Sequence, residues 1–291
     1  MSKGIETVEL KQFNINTMER DSCVLVVAKR RAGKSFLIRD ILYHFRNIPA
    51  GIVMSGSEEA SPYYSYFIPS IFIHDEFKSD ELENVFIMQK KNLAKARKNG
   101  LGDDKGKCSD NNFFIILDDL LSDKGDWIKD KHIRRLFMNG RHYNLFSVIA
   151  LQYILGIPPD LRNNIDYIFL FNEPNLKNRR KIYDEYCGMI PTFERFNNIF
   201  EQCTKNHECL VIKLTGNFNS YSDQIFYYKA KERKDFKVGS KPFWSFSNNN
   251  YNLNYKVENE ELEEKFIQEK KNNNKLKIYV NKVGQINKVE N

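Results

Sequence analysis

"VLVVAKRRAGKS", residues 24–35, carries the most specific pattern in the chain. Four apolar residues run directly into a basic turn, which closes on Gly33, Lys34 and Ser35. "SFLIRDILYHF" follows and puts Phe36, Leu37, Ile41, Leu42 and Phe45 at helical spacing. Strand, turn and helix in that order match a phosphate-binding loop, G-x-x-x-x-G-K-[ST]. Its eight positions are Ala28, Lys29, Arg30, Arg31, Ala32, Gly33, Lys34 and Ser35. The chemistry requires backbone N–H groups around a concavity, glycine where a side chain would meet phosphate, and a helix N-terminus aimed at the anion. Lys34 is placed to reach the β- and γ-phosphates of a nucleoside triphosphate, and the Ser35 hydroxyl to ligate Mg²⁺. Ala28 replaces the first glycine, which is a problem only if φ there must be positive.

Working outward, "CVLVVA" (23–28), "NNFFIILDD" (111–119), "FSVIALQ" (146–152) and "YIFLF" (167–171) read as buried strands. "GIVMSG" (51–56), "SIFIHD" (70–75), "CLVIKL" (209–214) and "QIFYYKA" (224–230) read as further strands. Helical patterns cover 79–100, with Ser79 as cap, then "KDKHIRRLFMNGRH", 176–187 and 191–203. Strands alternating with helices predict an α/β fold with a mostly parallel central sheet flanked by helices. "GIVMSG" lies between the loop strand and the Asp strand in sequence, which suits a P-loop NTPase of the type with an added central strand and a catalytic acid. The expected division is a lead-in over 1–20, an ATPase domain over 21–230, and a C-terminal extension over 231–291, where the pattern dissolves.

Asp118, at the end of a buried strand, is placed to hold Mg²⁺ through water. Asp119 sits where a base polarises the attacking water, and Gln152, after the third core strand, is placed to sense the γ-phosphate or orient that water. Composition adds bounds. The formal charge is +7 over 291 residues, compatible with a polyanionic partner. No apolar run approaches the ~20 residues that span a bilayer, and the start of the chain reads as neither signal nor transit peptide. The five cysteines are scattered, as expected of a reducing compartment. Cys203, His207 and Cys209 lack a fourth partner for zinc. Glu173 reads as a turn residue after a strand.

"AKRRAGKS", "ILDD" and "NGRHYNLFSVIALQYILGIPPDLRNNIDYIFLF", in this order, resemble the DNA-packaging ATPases of poxviruses and giant viruses, within the FtsK–HerA superfamily. The resemblance spans roughly residues 10–230. It implies an ATP-driven motor, a ring of identical subunits, that moves double-stranded DNA into a virion. It implies ATP and Mg²⁺ as the small molecules, capsid or inner-membrane virion proteins as further partners, and a location in the host cytoplasm, viral factory or virion. By position it makes Asp118 the metal acid, Asp119 the catalytic acid where relatives often carry Glu, and Gln152 the sensor. Arg141 matches the arginine finger that completes a neighbour's site, with Arg162 as a second candidate. A motor grips phosphates without reading bases. The basic stretch 90–107 is the DNA-binding candidate, with Lys90, Lys91, Lys95, Arg97 and Lys98 as its residues. Other DNA motors, such as a helicase or a conjugative pump, and a nucleotide-gated assembly factor remain the competing readings.

Overall fold

The structure is a computed structural model. It describes residues 8–98, 111–120, 127–153 and 157–251. The strands are β1 (Lys11–Gln12), β2 (Cys23–Val27), β3 (Ala50–Ser55), β4 (Ile73–His74), β5 (Phe113–Asp118), β6 (Leu145–Leu151), β7 (Tyr167–Leu170), β8 (Glu208–Lys213) and β9 (Ile225–Lys229). The helices are α1 (Lys34–His44), α2 (Ser79–Lys98), α3 (Lys131–Asn139), α4 (Pro159–Arg162), α5 (Leu176–Tyr186), α6 (Phe193–Cys203) and α7 (Lys241–Asn250).

All nine strands among the described residues form one sheet in the order β1-β9-β8-β7-β2-β6-β5-β3-β4. β4, β3, β5, β6, β2 and β7 run parallel, and β8 is antiparallel to both of its neighbours. Burial of β2 on both faces explains its unbroken apolar run: Val24, Leu25 and Val26 are fully buried. Alternate residues point to opposite faces of the sheet. Cys23, Leu25 and Val27 pack with α2, α3, α5 and α6. Val24 and Val26 pack with α1, Phe13, Phe67 and Phe243.

Register is what assembles the site. Val26 pairs with Ala150, Ala150 with Asp118, and Asp118 with Ser55. Four strands therefore end level, and their C-terminal connections meet at one edge, where open α/β sheets bind ligands.

Two sequence expectations change. "GIVMSG", which lies between the phosphate-loop strand and the Asp strand in sequence, forms β3 outside β5 in the sheet, and β6 occupies the place between β2 and β5. Order along the chain is not order in the sheet, because each crossover helix allows the chain to skip a position. "SIFIHD" yields only the two-residue edge strand β4, since Pro69 opens a 3₁₀ turn over Ser70–Phe72. Ser79 spends its hydroxyl on Asp130 Oδ2 at 2.6 Å.

One compact unit extends to Asn249. Helix α1 leaves part of its face of the sheet uncovered, and buried Val238 and Phe243 fill it. Asp40, fully buried on α1, accepts from Tyr228 Oη (2.6 Å), Lys231 N (2.8 Å) and Arg233 Nε (2.6 Å). A buried carboxylate of this kind needs such partners, and two of the three lie beyond residue 230.

Candidate active site

The loop between β2 and α1 forms the floor of a cleft of about 680 Å³. Gly33 has φ 110°, and a Cβ there would approach the Phe171 ring to 3.3 Å. The positive φ favours glycine at this position, and the Phe171 ring leaves little room for a side chain. Ala28 is not among the residues with positive φ. Its N–H donates to Leu151 O at 3.0 Å, as a strand residue does, so the missing first glycine carries no backbone penalty. Lys29 is drawn aside: its Nζ lies 2.7 Å from Glu173 Oε1. Arg30 and Arg31 are exposed beside the cleft, and Ser35 occupies the first turn of α1.

Lys34, Asp118, Asp119 and Gln152 converge on this cleft. Lys34 Nζ lies 2.8 Å from Asp118 Oδ1 and 3.9 Å from Asp119 Oδ1. Asp118 is 1% exposed. Its Oδ1 accepts no hydrogen bond among the described residues, so the contact with Lys34 is ionic. That buried oxygen retains lone pairs, and with the Ser35 hydroxyl it suits a Mg²⁺ ion held through water and phosphate oxygens. Asp119 adopts the left-handed backbone, φ 56°, costly for a non-glycine residue. Gly56 lies directly beneath, where a Cβ would approach Asp119 O to 2.9 Å. The carboxylate of Asp119 accepts a hydrogen bond from Gln152 Nε2, which links the ends of β5 and β6.

Several site residues carry no motif in the sequence. Tyr64 is buried and donates from its hydroxyl to Asp118 Oδ2 at 2.7 Å. Burial and the adjacent Asp118 carboxylate hold its phenol well above the ordinary range, so it remains a donor. Ser57, Ser61 and Tyr63 line the cleft. Glu173, expected as a turn residue, holds Lys29 and also accepts from Asn175 N at 2.8 Å. His207 Nδ1 lies 3.3 Å from Ala32 O and so braces the phosphate loop. The sequence signal for Ser57, Ser61, Tyr63, Tyr64 and Glu173 is their location after β3 or β7, whereas His207 precedes the antiparallel strand β8.

The two arginine candidates lie apart from the cleft. Arg141 is exposed in the turn that precedes β6. The seven residues of β6 separate it from Gln152, roughly 20 Å at strand rise. It therefore lies at the opposite end of β6 from its own nucleotide cleft. Arg162 pairs with Glu185 at 3.2 Å and stacks over Tyr186 at 5.6 Å. Lys90, Lys91, Lys95, Arg97 and Lys98 are exposed on the last turns of α2. That helix end is bound to the Arg141 turn, because Gln89 Nε2 donates to Tyr143 O at 2.8 Å. Residues 99–107 of the basic stretch lie outside the described residues.

No group of three or more potential metal-ligating side chains occurs among the described residues, and Cys203 and Cys209 are buried singly. Burial raises their thiols, as it does those of Cys23 and Cys187, away from nucleophilic character.

The model of the Poxvirus A32 protein family matches residues 10–212. The chain belongs to that family. The match contains every residue of the cleft. An uncharacterized protein of Acanthamoeba polyphaga mimivirus is 36% identical over 247 residues, covering 85% of this chain and 86% of the relative. Another, from Invertebrate iridescent virus 6, is 34% identical over 250 residues, covering 84% and 92%. Among solved structures, the genome packaging NTPase B204 from Sulfolobus turreted icosahedral virus 2, in complex with ATP-gammaS, aligns over 73% of this chain and 98% of its own. Its identity is 18% and its TM-score 0.47. The assignment of this A32-family chain as a P-loop NTPase rests on its own strand order and phosphate loop.

Proposed function

We propose that the chain is a Mg²⁺-dependent ATPase that drives double-stranded DNA into a viral particle. The observation that supports this best is the convergence of Lys34, Asp118, Asp119 and Gln152 on one cleft at the ends of β2, β5 and β6, in a chain of the A32 family. The loop N–H groups and Lys34 bind the triphosphate of ATP. Ser35 and Asp118 hold Mg²⁺, which when bound neutralises charge on the phosphates. Asp119 accepts the proton of the attacking water while its carboxylate is oriented by Gln152; the products are ADP and phosphate. Lys34 exchanges its acidic partner for phosphate oxygens as ATP binds.

Arg141 supplies positive charge to the cleft of an adjacent subunit, which makes a ring the working assembly. Its position at the edge of the sheet opposite its own phosphate loop supports that reading. Arg162, already paired with Glu185, is the weaker choice. The exposed lysines on α2 grip DNA phosphates beside the Arg141 turn, so nucleotide state at one cleft reaches the DNA contact through the subunit junction. Viral relatives support a virus-associated location, and no described helix is long and apolar enough to cross a membrane.

The test is displacement of a triplex-forming strand from duplex DNA by the purified protein with ATP. ATP-dependent displacement without separation of the duplex supports a translocase. Strand separation favours a helicase, and hydrolysis with neither favours a nucleotide-gated assembly factor.

A further inference from the structure

We infer that Tyr64 is a positioning residue for the metal acid Asp118, and that Glu58 fixes the turn that carries it. The inference rests on the nucleotide-site reading above. Tyr64 begins a one-turn 3₁₀ segment after β3, and its ring is 1% exposed. Its hydroxyl donates to Asp118 Oδ2 at 2.7 Å. The turn is itself clamped: the Glu58 carboxylate accepts from the N–H groups of Tyr63 (2.9 Å), Tyr64 (3.0 Å) and Ser65 (3.0 Å). Glu58 is 9% exposed, so these are charge-assisted bonds shielded from water.

A carboxylate at the end of a strand can swing about its χ2 angle and present either oxygen. Binding Oδ2 to a buried phenol removes that freedom and leaves Oδ1 for the cleft. Without the phenol, Oδ2 is unpartnered and the carboxylate is free to rotate, so Oδ1 is no longer held toward the cleft. The turn that provides the phenol is also cleft wall, since Ser57, Ser61 and Tyr63 line the same cavity. A purely structural tyrosine needs only some acceptor for its hydroxyl; this one uses the acid that faces the nucleotide.

The experiment compares ADP affinity by calorimetry, with Mg²⁺ and in EDTA, for wild type and Tyr64→Phe, beside a thermal melt of each. The substitution keeps the ring and deletes only the donor. The ratio of affinity with Mg²⁺ to affinity in EDTA is expected to fall about tenfold, the usual consequence of losing a partner of a metal ligand. A folded Tyr64→Phe protein whose ratio equals that of wild type overturns the inference, even if its melting temperature drops. Should Tyr64→Phe not fold, Glu58→Gln gives the reading: a lowered ratio supports the role, and an unchanged ratio overturns it. A wild-type protein that binds no ADP in either condition overturns the nucleotide-site reading, and this inference with it.

Discussion

Lys34 Nζ and Asp118 Oδ1 are 2.8 Å apart at the base of the cleft, joining the start of α1 to the end of β5. Asp118 is essentially without solvent, and Lys34 supplies the cation that neutralises it. Lys34→Ala is expected to cost twice. Nucleotide binding is lost, and the carboxylate is left with only the Tyr64 hydroxyl. Breaking a buried pair from one side destabilises by about 3–5 kcal/mol. Urea unfolding of the two proteins checks this; equal midpoints would show that the pair does not neutralise Asp118 in solution.

Asp119→Asn preserves shape and removes the base. Hydrolysis is expected to fall by about 10²–10⁴-fold, with ADP affinity retained. Gln152→Ala removes the donor that orients Asp119 and is expected to give a smaller loss in kcat. Steady-state rates beside equilibrium binding separate the two effects. A variant that loses binding and turnover together would make Asp119 part of the nucleotide cradle and not the base.

The His44 pKa lies below its usual 6.5, through burial first and the Arg233 guanidinium second. Nε2 of His44 faces Arg233 Nη2 at 2.7 Å and Nδ1 faces Asn16 Oδ1 at 2.8 Å, the arrangement of a neutral ring. As pH falls below 6.5 the unfolded chain gains a proton that the folded chain refuses until a lower pH. The stabilisation is therefore complete above pH 6.5 and is lost as acidification proceeds through the folded pKa. Urea midpoints between pH 7.5 and 5 should decline, and the decline should be shallower in His44→Gln. A parallel decline in both proteins would place the sensitivity elsewhere.

A chain ended at Ala230 loses the Lys231 and Arg233 partners of Asp40, together with Val238 and Phe243 from the core. It is expected to be insoluble or to melt without cooperativity, although every residue of the cleft is present. A cooperative melt matching the full chain would show that this segment is dispensable.

That segment also shows what the sequence makes legible and what it hides. The phosphate loop, Asp118, Asp119 and Gln152 are readable because their chemistry demands fixed residue types at the ends of strands that are unmistakably apolar. The spatial position of β6 is not readable, because crossover connections leave adjacency unspecified. Residues 231–250 look polar because only Val238 and Phe243 and a few part-buried neighbours touch the sheet, too few to make a helical period. Tyr64 and Glu58 sit in "SEEASPYYSY" (57–66), a stretch with the composition of an ordinary loop. Their roles arise from burial and hydrogen bonding, which only the fold reveals. Arg141 was singled out by the family resemblance, and only the fold shows that it lies at the opposite end of β6 from Gln152.

The most direct test of the proposed DNA-packaging ATPase activity is steady-state ATP hydrolysis with and without long duplex DNA, beside Lys34→Ala, Asp119→Asn and a charge reversal of Lys90, Lys91 and Lys95. The account predicts hydrolysis stimulated by duplex DNA, abolished in the first two proteins, and unstimulated in the third. Stimulation should weaken steeply with added salt, since phosphate contacts release counterions. Hydrolysis that is lost in the Lys34 and Asp119 variants yet indifferent to DNA in every protein would contradict a DNA-coupled motor.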